Sequence, residues 1–450
     1  MNSLARVLLW GQEIGVISWD DSRGIGIFEF TETYQRSVWD IAPFMMPKNQ
    51  GSVFSFPGHR GSETFLGLPG LLSDSLPDKY GNAVIANWMS RHGRTALNSV
   101  ERLCYTGSRG MGALTYQPTI KDVDSRIEKM NVNALSELAQ SILLQTNHMS
   151  KHLGPSGEDD DGLKDIFLVG TSAGGARAKA VLAWNRQTGE VISGQSKAPD
   201  GFCHYLFKFD VSGNRDKELT DPQGFCRIEF AYYNMAIASG IDMSESELYE
   251  ENGRAHFITQ RFDRVNVDLG DRFDTYTAEN DPRRLHMQSL CALKHMDYNL
   301  AGAHGYEQIA QIIRQLVVEP EQQQLDLEQQ YRRMLFNIMA RNQDDHAKNV
   351  AFLMDRHGQW RLSPAFDVTY SYNPTGQWTN AHQMTINGKR DNFTLDDLTT
   401  TARKFNVKNP HEMIEAINQS LDYWPDIADM AGVHPSQKTA IMQNFRRVFK

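Results

Sequence analysis

Cysteine is scarce. Only four stand among 450 residues, at positions 104, 203, 226 and 291, and no pair has the short spacing of a metal site. So few thiols exclude a disulfide framework and a cysteine-ligated zinc module, and they fit a reducing, cytoplasmic compartment. Long apolar runs are missing too. No stretch approaches the roughly 20 apolar residues of a membrane span. The early run Val7-Leu8-Leu9-Trp10 ends at Gly11, too short for a secretory apolar segment. The expectation is a soluble, unexported protein with no membrane partner. An excess of basic charge is also lacking: 46 Lys and Arg face 55 Asp and Glu, a net charge of −9. That balance excludes bulk electrostatic coating of nucleic acid, which needs a basic footprint. There is no internal repeat, and low complexity is confined to Gln322-Gln323-Gln324. A chain that is 40% hydrophobic and 22% charged is neither disordered nor collagen-like. Its length predicts about two or three domains.

What is present falls into two kinds of segment. Apolar runs at 7–10 and 27–30, bounded by Gly, Asp and Ser, predict strands, and helical patterns follow near Leu71 and over 82–89. Gly107-Ser108-Arg109-Gly110-Met111-Gly112-Ala113-Leu114 predicts a glycine-rich turn into a strand. Leu135, Leu138, Ile142, Leu143 and Met149 recur at near-helical spacing and predict a helix over 133–149. The stretch 154–162, with glycine, proline and consecutive acids, predicts a solvated loop. From 166 to 264 strands dominate, with one helix near 229–238. From 282 onward helices dominate, including 331–341 and a stretch from Pro410. An α+β protein of two lobes follows, with a ligand cleft expected between them.

The strongest chemical signal is Asn342-Gln343-Asp344-Asp345-His346-Ala347-Lys348-Asn349, between an amphipathic helix and the apolar strand 350–354. Asp344 and Asn349 stand five apart, the spacing of base and metal-holding amide in the kinase catalytic loop. One carboxylate must face the attacking hydroxyl while an amide oxygen one loop-turn away holds Mg²⁺ on the phosphates. Eighteen residues after Asn349, Asp367 follows a second strand, 360–362, where a second metal ligand belongs. Asp and Asn also abound in plain turns, so the upstream elements decide. Phe167 to Leu182 reads strand, glycine-rich loop, strand, and backbone N–H groups of such a loop cradle phosphates. It is neither a Walker A loop, since Ala176 and Arg177 replace its Lys-Ser/Thr, nor G-x-G-x-x-G. Alone it favours a plain hairpin turn. Lys208, on an alternating strand from His204 to Asp210, suits the kinase lysine that pairs with ATP phosphates; alone it also suits an edge-strand lysine. Glu229, at the opening of the next helix, either orients Lys208 or complements the helix dipole. The strand 257–264 offers backbone groups to an adenine edge, or is a simple connector. The order glycine loop, strand lysine, helix glutamate, hinge, Asp-x4-Asn, Asp is that of protein kinases.

Through the stretches GTSAGGARAKAVL, HYLFKFD, FITQRFDR, RNQDDHAKNVAF and WRLSPAFDVTYS the chain resembles the HipA family of bacterial serine/threonine kinases, toxins of type II toxin–antitoxin systems. LPGLLSDSLPDKYGN and GSRGMGALTY resemble that family's N-terminal subdomain, so the resemblance covers essentially the whole chain. It implies an α+β, two-lobed protein-kinase-like fold with an N-terminal strand-rich subdomain and a helical C-terminal lobe. The implied divisions are 1–118 for that subdomain, 119–264 for an N-lobe with phosphate loop and hinge, and 265–450 for the C-lobe. It further implies ATP and Mg²⁺ as cofactors and Asp344 as catalytic base, with Asn349 and Asp367 holding the metal. Lys208 would meet the ATP phosphates, and Gln260, Arg261 and Phe262 the adenine. Ala173, Gly174, Gly175, Ala176, Arg177 and Lys179 would form the phosphate loop, and His346 and Lys348 would join the ATP site. Ser172 aligns with a loop serine that the family autophosphorylates to switch the kinase off, and Thr171 beside it offers a second hydroxyl. Two departures stand out: Arg177 where a glutamine is expected, and Gln260 where an acid is common.

The resemblance also implies partners: a small helix-turn-helix antitoxin (HipB-like), DNA reached only through it, and a protein substrate such as an aminoacyl-tRNA synthetase. Two other readings share the Asp-x4-Asn and Asp pattern. One is a small-molecule kinase of the aminoglycoside or choline type, which the N-terminal subdomain and Ser172 disfavour. The other is a nucleotide-binding co-repressor subunit acting with an antitoxin on DNA, which the complete catalytic set disfavours.

Overall fold

The structure, a computed structural model, describes residues 3–78, 80–82, 84–85, 97–119, 130–145, 177–194, 198–211, 224–267, 276–277 and 280–447. The glycine-rich loop through Ala176, with Thr171 and Ser172, lies outside the described residues. So do the acidic loop 154–162 and most of the predicted helix 82–89. The chain forms two compact units, 1–223 with 249–287, and 224–248 with 288–450.

In the first unit, strands β1 (Leu4–Leu9), β2 (Gln12–Asp20), β3 (Ile25–Phe30), β4 (Val53–Ser55) and β5 (Leu114–Gln117) form a sheet of order β4-β3-β2-β1-β5. Along β1, Ala5 and Val7 are buried while Leu4 and Arg6 are exposed, the period-two pattern of a sheet with one packed face. Trp10 and Gly11 make the β1–β2 turn, with φ of 50° and 80°. Two positive φ values between the paired Leu9 and Gln12 are those of a type I′ hairpin. Trp10, read from sequence as the end of a strand, is therefore the turn, and its indole N–H donates to the buried carbonyl of Arg284 at 2.8 Å. Helix α1 (Ser99–Thr106) starts at a capping box of Asn98 and Glu101 and stops at Gly107.

The second sheet of this unit contains β6 (Lys179–Asn185), β7 (Glu190–Ser193), β8 (Cys203–Lys208), β9 (Ser246–Glu251) and β10 (Arg254–Gln260), in the order β7-β6-β8-β10-β9. One hydrophobic core joins Tyr80 and Tyr105 of the N-terminal segment, Leu135 of α2 (Val132–Gln145), and Leu182, Phe207 and Ile258 of this sheet. This core draws on residues from both sides of position 118.

The second unit is mostly helical. Helix α3 (Phe225–Ala238) belongs here rather than with the strand-rich segment preceding it in the chain. Its Tyr232 packs edge-on against Phe336 and Trp424 and donates its hydroxyl to the Ala340 carbonyl at 2.6 Å. The helix begins four residues before Glu229, which sits in its second turn and not at its opening. Helices α4 (Tyr306–Leu316) and α5 (Pro320–Met339) follow. Glu319 caps α5 through the N–H groups of Glu321 and Gln322, with Pro320 at the first helical position. The polyglutamine run is thus the first turn of a helix that starts well before the predicted 331. Strand β11 (His286–Ser289) runs across the division between the units at 287/288, and β12 (Ala351–Met354) and β13 (Trp360–Leu362) form a hairpin. Helices α6 (Leu395–Lys404), α7 (Pro410–Asp422), α8 (Trp424–Met430) and α9 (Pro435–Asn444) complete the unit. Among the described residues no helix is long and apolar enough to cross a membrane.

Candidate active site

The 342–349 loop is held at both ends by the helix before it and the strands after it. Arg341 takes a left-handed φ of 62°, rare for a long side chain, and turns the chain out of α5. Backbone bonds from Gln343 N to Ser371 O, 3.2 Å, and from Ser371 N to Arg341 O, 3.1 Å, pin the start of the loop. The side-chain amide of Asn342 donates to Asn337 Oδ1 at 2.9 Å. Beyond the loop, the buried carboxylate of Asp326 in α5 accepts the Leu362 N–H at 2.7 Å, fixing β13 against that helix. The strand hands over to Phe366 and Asp367. Asp367 has φ of 53°, a conformation that Asp and Asn tolerate better than most residues.

Within this frame the two adjacent aspartates separate. Asp345 is buried: its Oδ2 accepts from the Tyr306 hydroxyl at 2.7 Å and meets His382 Nδ1 at 2.9 Å, and its Oδ1 accepts the Gln383 N–H at 2.8 Å. Burial pushes its carboxyl up, but the imidazole of His382 and these hydrogen bonds outweigh that and hold it below the usual carboxylate range. Asp344 points the other way, with 37% of its side chain exposed. Its backbone carbonyl accepts the side-chain amide of Asn349 at 2.9 Å. Because that contact engages the amide nitrogen, the amide oxygen of Asn349 is turned away from the loop. Asn349 and Asp367 line one cleft together with Asp345, His346, Asn342 and Arg333.

An amide oxygen and a carboxylate are the oxygen ligands Mg²⁺ takes from protein when phosphates and waters complete its shell. Buried His346 Nδ1 and Asn342 Oδ1, on the same cleft wall, have no hydrogen-bond partner among the described residues. The lining thus fits a hydrated cation with a polar ligand. His346 also lies against Tyr298, and Lys348 sits over that ring at 5.5 Å.

The first unit places the upstream residues. Strand β8 is the middle of five, which removes the edge-strand account of Lys208: its side chain is buried, with Nζ 5.8 Å from the Phe257 ring centroid. Lys179 stands directly across from it in the β6–β8 register and forms a buried ion pair with Asp78 at 3.2 Å. Lys179, read as the end of the phosphate loop, is thus already engaged at the start of a strand. Arg177 is half-buried; Ala173, Gly174, Gly175 and Ala176 lie outside the described residues. Gln260 ends β10, paired with Tyr205. Arg261 differs from the expected hinge contact in its side chain, which binds Asp263 at 2.6 Å deep inside the unit. Its N–H donates to His204 O at 2.9 Å.

Asp263 also accepts from Arg264 and from the Gly112 N–H, at 2.7 Å each. Arg264 and Arg284 donate in turn to the Gly112 carbonyl, at 3.2 and 3.0 Å. Gly112 has φ of 74°, and a Cβ there would stand 2.9 Å from Met287 N, so only glycine fits. The motif GSRGMG is a loop clamped by arginines.

Two features had no sequence signal. Trp378 donates its indole N–H to Asp344 Oδ1 at 2.7 Å, from a polar loop 34 residues away. Asp345 is anchored by Tyr306 and His382, equally distant in sequence.

Residues 5–117 match the HipA N-terminal domain family, and residues 171–424 match the HipA-like C-terminal domain family. A curated relative, "Putative kinase Y4mE" of Sinorhizobium fredii, is 24% identical over 183 residues, which span 39% of this chain and 40% of that protein. HipA of Shewanella oneidensis MR-1, solved with HipB and its operator DNA, superimposes with a TM-score of 0.63 at 14% identity, covering 98% of this chain and 94% of that one. The Helicobacter pylori kinase CtkA aligns over 61% of this chain and 90% of its own, with 12% identity and a TM-score of only 0.36. With both family domains present in order, and the larger covering more than half the residues, this chain belongs to the HipA family.

Proposed function

We propose that the protein is an ATP- and Mg²⁺-dependent kinase that transfers the γ-phosphate to a serine or threonine hydroxyl of a protein substrate. The observation that carries this reading is the pairing of Asn349 with the Asp344 carbonyl, which turns the amide oxygen of Asn349 outward on a cleft shared with Asp367. Asp344 takes the proton of the acceptor hydroxyl, whose oxygen then bonds to the γ-phosphorus as the bond to the β-phosphate oxygen breaks. Asn349 Oδ1 and Asp367 would hold Mg²⁺, which when bound neutralises charge on the phosphate oxygens. Lys208 contributes a fixed positive charge for the phosphates from the centre of its sheet.

The catalytic test compares wild type with Asp344→Ala in γ-phosphate-labelled ATP and host lysate. The variant is expected to lose phosphotransfer by a factor on the order of 10²–10⁴ while its nucleotide affinity stays within a few-fold. Equal transfer rates would remove Asp344 from the role of base. Mass spectrometry of the same wild-type reaction reads out Ser172, which we assign as the autophosphorylated hydroxyl of the phosphate loop. A phosphate there adds about −1.5 to −2 charge beside the nucleotide and should weaken ATP binding; modification confined to Thr171 or elsewhere would reassign it.

The Shewanella HipA is complexed with HipB and operator DNA. We extend that assembly to this chain: a helix-turn-helix partner supplies the DNA contact that a charge of −9 disfavours in the kinase itself. A gel shift of operator DNA by this chain without any partner would overturn that division.

A further inference from the structure

We propose that Trp378 is a positioning residue for the catalytic base, setting which oxygen of Asp344 meets the acceptor hydroxyl. The inference rests on the reading of Asp344 above and adds a residue to it. A carboxylate used as a base must present one oxygen to the substrate and keep the other from rotating into its place. Trp378 Nε1 donates to Oδ1 at 2.7 Å, and His346 Nε2 stands 3.6 Å from the same oxygen. Asp344 Oδ2 accepts no hydrogen bond among the described residues. Both ring nitrogens therefore converge on one oxygen of a side chain that solvent reaches, and the second oxygen is left facing outward.

Trp378 is itself held. Its carbonyl accepts the side-chain amide of Gln383 at 2.5 Å, and the Gln383 N–H donates to Asp345 Oδ1 at 2.8 Å. The next residue, Thr379, is buried, and its carbonyl accepts the Asn373 N–H at 3.2 Å. The 373–383 segment thus grips both aspartates of the loop: Asp345 through the Gln383 backbone and His382, Asp344 through the indole. A half-buried indole N–H needs some acceptor, and a carbonyl or water would satisfy it. Its aim at Oδ1 of the proposed base, which leaves Oδ2 for the acceptor hydroxyl, is what assigns it a part in catalysis. Without the indole N–H, a carboxylate 37% exposed turns freely about its last torsion, and near-attack geometry is populated less often.

The test replaces Trp378 by phenylalanine and, separately, by its benzothiophene analogue, which keeps the ring shape and lacks the N–H. Loss of one hydrogen bond to a charged group should lower kcat about 10- to 100-fold, with KM for ATP within about twofold. Combined with Asp344→Ala, either replacement should cause no further loss, because it acts only through that carboxylate. A benzothiophene variant as fast as wild type overturns the proposal even if Asp344→Ala is inactive, and the kinase reading then stands. A further loss in the Asp344→Ala background also overturns it, since Trp378 would act elsewhere. If wild type transfers no phosphate at all, the kinase reading fails and this inference fails with it.

Discussion

In the first unit Asp263 lies wholly inside the protein between Arg261 and Arg264, with none of its side chain exposed. In the second, Asp344 keeps more than a third of its side chain in solvent while its neighbour Asp345 keeps almost none. The difference divides the acids into two tasks. Asp263 carries its charge against the cost of burial: dehydration pushes its carboxyl up, and the two guanidiniums hold it well below the usual range. With its hydrogen bond to the Gly112 N–H it fixes the 107–112 loop, and a group so fully engaged is unavailable to chemistry. Asp345 is the second unit's version of that device, fixing one turn of the 342–349 loop while Asp344 stays accessible.

The largest effect should come from breaking the first device. Asp263→Ala leaves Arg261 and Arg264 buried and uncompensated, which typically costs about 3–5 kcal/mol. The urea midpoint should fall accordingly, and amides of the 107–112 loop should exchange faster than those of α5. A loss below about 1 kcal/mol would show that the pair is not a framework element.

A pH titration separates the units next. The first buries His256 and His286, whose pKa values burial pushes down to about 4 and about 3. His256 Nδ1 accepts the Asp210 N–H at 3.0 Å, which a proton on that nitrogen would forbid. Between these values and the unfolded value of about 6.5 the unfolded chain binds more protons, so stability is intact above pH 6.5 and is lost as pH falls below it. At pH 5 each histidine has withdrawn roughly 2 kcal/mol. Asp345 behaves oppositely in range: its folded pKa lies below its unfolded one, so its contribution survives to lower pH. Hydrogen exchange at pH 7 and pH 5 should therefore show β8 and β10 losing protection before α5. Equal losses in both units would contradict this.

Asp345→Asn sharpens the contrast between neighbours. An amide can accept from only one side, so one of the Tyr306, His382 and Gln383 contacts is lost at a cost of roughly 1–3 kcal/mol. Thermal melting should record that loss. Turnover should also fall, about tenfold, because the loop that aims Asp344 loosens. A variant stable and active as wild type would make Asp345 a bystander.

How much of this was legible in the sequence depended on distance along the chain. Asp344, Asn349 and Asp367 lie within one loop and one hairpin, so spacing alone pointed to them. Which of two consecutive aspartates is buried was not legible, because Tyr306 and His382 approach Asp345 from about 40 residues away on either side. Trp378 was hidden for the same reason. The β6–β8–β10 strands were readable from alternation, but not that β8 is central, since strand order is a non-local property. Helix α3 was recognised as a helix, yet its place with α5 and α8 is set by Tyr232 packing on Phe336 and Trp424. Its chain neighbours carry no trace of that contact.

The smallest expected stability effect is also the most specific test of the site. Asp367 holds a φ of 53°, which costs an ordinary residue roughly 1–2 kcal/mol and Asn or Asp less. Asp367→Asn should therefore melt within about 0.5 kcal/mol of wild type, since asparagine tolerates that conformation, whereas Asp367→Ala should lose about 1 kcal/mol more. Both remove the carboxylate that faces the cleft shared with Asn349. Calorimetry should then show MgATP bound more weakly by both variants, with metal-free ATP binding nearly unchanged, because Mg²⁺ relies on few protein ligands and loses one of them. If Asp367→Asn binds MgATP as tightly as wild type, the carboxylate is not a metal ligand and its strained backbone serves the fold alone. If alanine and asparagine melt together, the left-handed conformation carries no cost, and Asp367 sits there for its charge only.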